Sequence, residues 1–442
     1  MDSLKYVLVS LLFLIFISCG GSSKTSPETD SRTFDEAESS LRIIELKENI
    51  EDEPNNLDWR LQLAREYEAM DRNMEALKTY EEVLNIDPNQ ADIKYNYAEL
   101  ALRMGDKRKS FQAYKDILLG IDGPQYLNRI APKFLDSYEV KPIISSPSPE
   151  AYANYSTDGT KIIYQAYNNE NWDIFEYDIA SQTTKQFTFD PAHEENPVYS
   201  PNMGTIAYTS TRDDHRNVDY NQKLRDIYIM DLASQAETNL TTNSSNDWKP
   251  RYDRTSNSIV FVSERSDLRD VDITELYSHI YIMEGEGSFQ LQLSKVDAND
   301  GGPVLKGGET GTIYFDSNRN GSFDIYHMKA DGSEVKQITY DQGNNNVAPD
   351  LNPDGTKIAF FSDRDANYEI YTMNENGDNV QRITSNPADD VNPVFSPDGT
   401  KLLFHSDRMG NFDIFEANLT RKNEAATVSD VVARIDASIA AL

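Results

Sequence analysis

Five histidines, His193, His215, His279, His327 and His405, are where metal-assisted or general-base chemistry would have to begin. None stands at the His-x-x-x-His spacing that puts two ligands on one helix face. No Gly-x-Ser-x-Gly elbow occurs to present a serine nucleophile. No glycine-rich phosphate loop follows a strand and opens a helix. What remains is recognition chemistry. Arg212, Arg216, Tyr220, Arg225, Arg265, Arg269 and Tyr277 gather in two short stretches, with Trp248 between them on what reads as a linking loop. Arg, Tyr and Trp are the side chains that most often anchor partners. A second set recurs at a regular interval: Glu150, Glu194, Asp247, Asp300, Asn346 and Asp390. Five of the six are acidic, so they predict a ring that would receive a cation such as calcium, or a basic peptide. The alternative is that each acid caps its own turn. No other cofactor is expected.

The interval comes from a repeat. NPDGTKIAFFSDRDANYEIYTM from Asn352 and SPDGTKLLFHSDRMGNFDIFEA from Ser396 are its clearest copies, and fainter ones start near Ser156, Ser200, Asp253 and Lys306. The first apolar residue after each turn is Ile162, Ile206, Ile259, Ile313, Ile358 and Leu402, giving steps of 44, 53, 54, 45 and 44 residues. Ser-Pro-Asp-Gly is turn chemistry, and Lys-Ile-Ala-Phe-Phe and Glu-Ile-Tyr-Thr-Met have strand composition. Four strands in about 44 residues is propeller-blade spacing, so six copies predict a closed six-bladed β-propeller. Ile143-Ile144-Ser145 is expected to supply the missing outer strand of the last blade, with Val428-Ser429 as the rival. Copies two and three each carry about nine extra residues, within Arg212–Arg225 and Arg265–Ser278. Both insertions fall between second and third strands of adjacent blades, so they should stand side by side on the face that also carries the blade-linking loops. Arg364 and Arg408, repeated with the blades, are expected to pair with carboxylates of their own or neighbouring blades.

The formal net charge is −32. No basic stripe exists to displace counterions, which argues against nucleic acid as a partner. The one cysteine, Cys19, follows an apolar stretch from Tyr6 to Ile17, too short for a membrane span and suited to a signal h-region. Residues 1–18 are similar to a bacterial lipoprotein signal, with Cys19 as the lipidated residue and 19–33 as a tether. That predicts a lipid anchor in the outer membrane, facing the periplasm. Residues 34–137 change to helical periodicity. Leu63, Ala64, Tyr67, Ala76, Tyr80, Val83 and Pro88 resemble the tetratricopeptide pattern, and Tyr97, Ala98, Ala101, Ser110, Tyr114, Ile117 and Asp122 follow 34 residues later. The predicted organisation is therefore an all-α helical-repeat domain over 34–137, a propeller over 138–429 and a tail over 430–442.

Ser-Pro-Asp-Gly-Thr-Lys followed by Ser-Asp-Arg and Asp-Ile-Tyr resembles the TolB-type, WD40-like propeller repeat. That resemblance implies a non-enzymatic, lipid-anchored envelope scaffold that holds protein partners on its propeller face and helices. Some propeller lyases gather histidines from several blades, so a carbohydrate-binding or carbohydrate-cleaving propeller is the alternative.

Overall fold

Each Ser-Pro-Asp-Gly phrase closes on itself as its side chains dictate. In the last copy Ser396 Oγ donates to Asp398 Oδ1 at 2.6 Å, the same oxygen accepts the Thr400 amide at 3.0 Å, and Gly399 takes φ +72°. Such turns join the first and second strands of the blades. The computed structural model describes residues 31–442 apart from 342 and 366. Cys19 and the apolar stretch before it lie outside the described residues.

Residues 136–423 form one unit, six four-stranded antiparallel sheets. The first blade uses Glu150–Tyr155, Lys161–Asn168, Asn171–Asp178 and Thr183–Gln186. The sixth uses Asp390–Phe395, Lys401–Ser406 and Asp413–Lys422, and takes Tyr138–Ile144 as its outer strand. Val140 faces Ala417 and Ile144 faces Ile414 in that pairing. The N-terminal strand therefore latches the ring, and Val428 instead opens a helix. Second strands are buried along nearly their whole length, as in Ile259–Ser263, because neighbouring blades cover both faces. Val260, Val262 and Ile280 of the third blade meet Leu305, Ile313 and Phe315 of the fourth in one such shared core.

A bulge interrupts the first strand of all six blades, and it places one residue at left-handed φ: Tyr152, Asn196, Lys249, Gly302, Ala348 and Asn392, all between 50° and 53°. Side chains other than glycine resist this conformation, so its recurrence at five non-glycine positions is a demand of the ring. Four of the bulge amides are held across the blade boundary. Tyr152 N donates to His405 Nδ1 at 3.4 Å, Asn196 N to Gln165 Oε1 at 2.8 Å, Lys249 N to Thr209 Oγ1 at 3.3 Å, and Ala348 N to Asp316 Oδ2 at 2.9 Å. The bulges turn the wall of the central channel into a set of fixed, individually chosen side chains.

The other unit comprises residues through Leu135 together with 424–442. Among the described residues it has seven helices: α1 (Ser31–Asp52), α2 (Leu57–Ala69), α3 (Asn73–Ile86), α4 (Ala91–Arg103), α5 (Lys107–Leu118), α6 (Gly123–Ile130) and α7 (Val428–Ala441). The pairs α2/α3 and α4/α5 begin 34 residues apart, and Ala64, Ala76, Ala98 and Ser110 are fully buried where paired helices approach. The segment expected as a tail is α7. Thr427 and Asp430 form a reciprocal capping box, and Val431 and Ile435 bury against Phe111, Tyr114 and Phe134. Its apolar residues at 428, 431, 432, 435 and 439 lie at helical spacing, which so short a stretch concealed. Among the described residues no helix is long and apolar enough to cross a membrane.

Candidate functional site

The two insertions fold into hairpins with one shared wiring plan. In the first, Asp214 accepts the Arg216 amide at 2.9 Å and the Leu224 amide at 2.7 Å, while Arg216 Nη2 reaches Asp214 at 2.6 Å and the Gln222 carbonyl at 2.7 Å. In the second, Asp267 accepts the Arg269 amide at 3.0 Å and the Tyr277 amide at 2.7 Å, and Arg269 Nη2 reaches Asp267 at 2.6 Å and the Glu275 carbonyl at 2.7 Å. Every partner is displaced by 53 residues. The bond from Arg216 holds the Asp214 carboxyl far below its ordinary range. Asp267 is held at about 2: burial opposes ionisation, but the Arg269 pair and the Tyr277 amide outweigh it. One short 3-10 turn in each hairpin, Tyr220–Gln222 and Ile273–Glu275, packs against the other. The insertions thus stand side by side.

Their arginines divide into three uses. Arg216 and Arg269 are internal braces, and Arg269 also lies over the Tyr277 ring at 3.8 Å. Arg225 is half-buried, with Nε bonded to Glu195 Oε2 at 3.0 Å, and the Tyr220 hydroxyl donates to the same carboxylate. Although burial opposes it, Arg225 keeps the Glu195 carboxyl below its usual range. Arg212 and Arg265, expected on a docking face, serve inside their blades. They occupy the register of Arg319, Arg364 and Arg408, and each of the five lies over an aromatic ring of its own blade at 4.6–5.0 Å.

Those same arginines explain the regular acidic positions. Arg212 pairs with Glu194 at 3.3 Å, Arg265 with Asp247 at 2.7 Å, Arg319 with Asp300 at 2.8 Å and Arg408 with Asp390 at 2.7 Å; Arg364 bonds Asn346 at 2.6 Å. Glu194, Asp247, Asp300, Asn346 and Asp390 are fully buried and Glu150 nearly so. The expected open ring is therefore a set of internal struts, because a bare carboxylate at that depth needs a charged partner. Blade one has Asn168 in place of the arginine, and burial beside Asp413 raises Glu150 to about 7. Among the described residues no group of three His, Cys, Asp or Glu side chains is arranged to hold a metal ion.

The hairpins roof a chamber of about 220 Å³ in the channel. Trp248 belongs to the first strand of blade three (Asp247–Tyr252) and lines this chamber rather than a linking loop. One wall is polar: Gln165, Glu195, Asn196, Arg225, Lys249 and Glu264. Burial raises Glu264 to about 8, and Asn246 Nδ2 donates to it at 2.8 Å. Blades four to six add apolar surface, Phe323, Val347, Phe361, Tyr368, Val391 and Phe412, beside Asp316 and Asn392 of the same blades. The five histidines do not converge. His405 lines the chamber, with its ring held neutral by burial at about 3. His193 packs edge-on to Tyr220, His279 bonds the Val296 carbonyl at 3.0 Å, and His327 stacks on Tyr314.

Opposite the hairpins, the second residue after each bulge position alternates around the ring: Asn154, Val198, Arg251, Val304, Asp350, Val394. The polar members come from blades one, three and five. Arg251 crosses the channel, donating to Asn154 Oδ1 at 2.8 Å and pairing with Asp350. Asp350 also accepts the Phe395 amide at 2.8 Å. The three valines are buried. Neither this bolt nor the bulge ring was legible beforehand, since bulge positions share no residue type, only the proline that usually follows.

The family model described as the TolB beta propeller domain matches residues 126–271 and 341–434. The chain belongs to the TolB beta propeller domain family. A model of the dipeptidyl peptidase IV N-terminal region matches residues 215–363 of this TolB-type chain. An Agrobacterium fabrum relative, Uncharacterized protein Atu1656, is 37% identical over 129 residues, covering 28% of this chain and 41% of its own. The chain thus spans about two fifths of that relative's length. Among solved structures, TolB from Acinetobacter baumannii is 19% identical, covering 63% of this chain and 66% of its own, with a TM-score of 0.43. Oligogalacturonate lyase from Vibrio parahaemolyticus is 14% identical, covering 64% and 95%, with a TM-score of 0.45.

Proposed function

We propose that this TolB-type propeller is a non-catalytic envelope scaffold that holds a protein partner at the hairpin-roofed mouth of its channel. The observation that carries the reading is the pairing of two identically braced hairpins over a chamber that offers both polar and apolar side chains. Rigid, pre-formed loops that present different side chains suit recognition, because little ordering entropy is lost on binding. The helical unit, read as tetratricopeptide-like from its 34-residue step, offers a second holding surface. Lipidation of Cys19 would tether both to the outer membrane, on the periplasmic side.

A carbohydrate-cleaving propeller is the second reading, favoured by the carboxylates and aromatics of the chamber. It is weakened by the dispersal of the histidines: of the five, His405 alone lines the chamber. Cross-linking and capture from native envelopes, with the intact chain against one lacking residues 213–224 and 266–277, tests the choice. A discrete protein lost with the hairpins is expected. Capture of no protein by either form would overturn the scaffold reading and direct the work to oligosaccharide binding and cleavage.

A further inference from the structure

Lys249 is the chamber residue whose charge is least accounted for. It sits at a bulge, half-buried, on the floor shared by the main chamber and a smaller cavity of about 80 Å³ beneath it. Among the described residues no carboxylate lies within ion-pair distance of its ammonium, which has only the Tyr152 ring at 5.9 Å. The nearby acids are engaged elsewhere. Glu195 is held by Arg225 and Tyr220, Glu264 accepts from Asn246, and Asp316 accepts the Ala348 amide. Lys249 still acts at a distance, drawing Asp316 down against the burial that raises it to about 6. A half-buried ammonium without a counter-ion is a ready partner for an anionic group.

Shape narrows the choice further. The Arg251 bolt crosses the channel two residues beyond Lys249, so whatever enters at the hairpins meets a floor. A blind, narrow chamber accepts the end of a chain more readily than its middle. The wall formed by Phe361, Val391 and Phe412 would lie beside an apolar last side chain.

We infer that the chamber receives a C-terminal carboxylate: a partner's chain end enters between the hairpins, its carboxylate pairs with Lys249, and an apolar last residue lies against the Phe361–Phe412 wall. The inference rests on the scaffold reading and names the chemistry of what is held.

The test uses the intact chain, immobilised, with two pools of N-acetylated pentapeptides randomised except for a last Phe or Leu. One pool carries free carboxylates and the other amides. Retention of the free acids should exceed that of the amides by on the order of tenfold or more. Lys249→Met should erase the preference without moving Tm, since Met replaces Lys at the same backbone conformation, and Lys249→Arg should keep most of it. Equal retention of acids and amides, or retention of neither above the Lys249→Met background, overturns the inference. Saturation-transfer NMR with 3-phenylpropionate is the second arm. Binding of that acid without any peptide would also overturn it, assigning the site to free small acids. If Lys249→Met still captures the envelope partner while the hairpin deletion does not, the chain-end inference falls and the scaffold reading stands.

Discussion

The hairpins of blades two and three share a frame and differ in what they display. Asp214 and Asp267 brace them through the same four bonds, yet the residues facing the chamber are Tyr220, Asn221 and Arg225 in one and Ile273, Thr274, Leu276 and Ser278 in the other. Their bases differ as well, with Thr211 before Arg212 and Glu264 before Arg265. Repetition has kept what holds a loop in place and released what the loop touches. The same division runs through the ring, where strut arginines recur at one register while bulge positions carry Tyr, Asn, Lys, Gly, Ala and Asn.

The largest effect should come from the base of the second hairpin. Arg265→Ala leaves Asp247 buried without its cation and should cost about 3–5 kcal/mol in chemical denaturation. Arg212→Ala should cost less, because its contact with Glu194, at 3.3 Å, is longer than the 2.7 Å contact of Arg265 with Asp247. Equal losses would refute that asymmetry. Next in size, Asp214→Ala and Asp267→Ala should destabilise by similar amounts, about 1–3 kcal/mol. Each should also speed hydrogen exchange at its own hairpin amide, Leu224 or Tyr277; unequal losses would break the shared-frame comparison.

A pH effect separates the two bases. Glu264 has a folded-state pKa raised from 4.5 to about 8, so the folded chain binds its proton more tightly than the unfolded one. Its contribution to stability is complete below 4.5 and is lost as pH rises through about 8, at up to about 1.4 kcal/mol per pH unit. Glu264→Gln should therefore flatten the fall in Tm between pH 5 and 8 (on the order of that window), whereas Thr211→Val should leave its slope unchanged. The smallest effect belongs to the tips. Leu276→Lys, which copies Lys223 into the second hairpin, should shift stability by less than about 0.5 kcal/mol while changing partner capture.

Six blades, their register and the adjacency of the insertions could be read from turn phrases and strand composition, because those features are local and repeated. The latch strand was legible from the offset of Ile143. The roles of Arg212 and Arg265 were misplaced because an arginine at the edge of an insertion looks like part of it. Their alignment with Arg319, Arg364 and Arg408 was the available signal. Asp-x-Arg-x-Val-Asp, present at Asp214 and again at Asp267, would have revealed the duplicated bracing. Lys249 and Arg251 could not be chosen in advance, since their meaning depends on which other blades face them across the channel.

Closure by Tyr138–Ile144 has a consequence for how the molecule is made. Its partner strand, Asp413–Lys422, leaves the ribosome roughly 275 residues later. At synthesis rates of about 5–20 residues per second, the latch must wait on the order of tens of seconds with one edge unpaired. An open edge is an invitation to the wrong strand. Tyr-Glu-Val-Lys-Pro-Ile-Ile interrupts its apolar residues with two charges and a proline, a composition that discourages premature pairing until the last blade arrives.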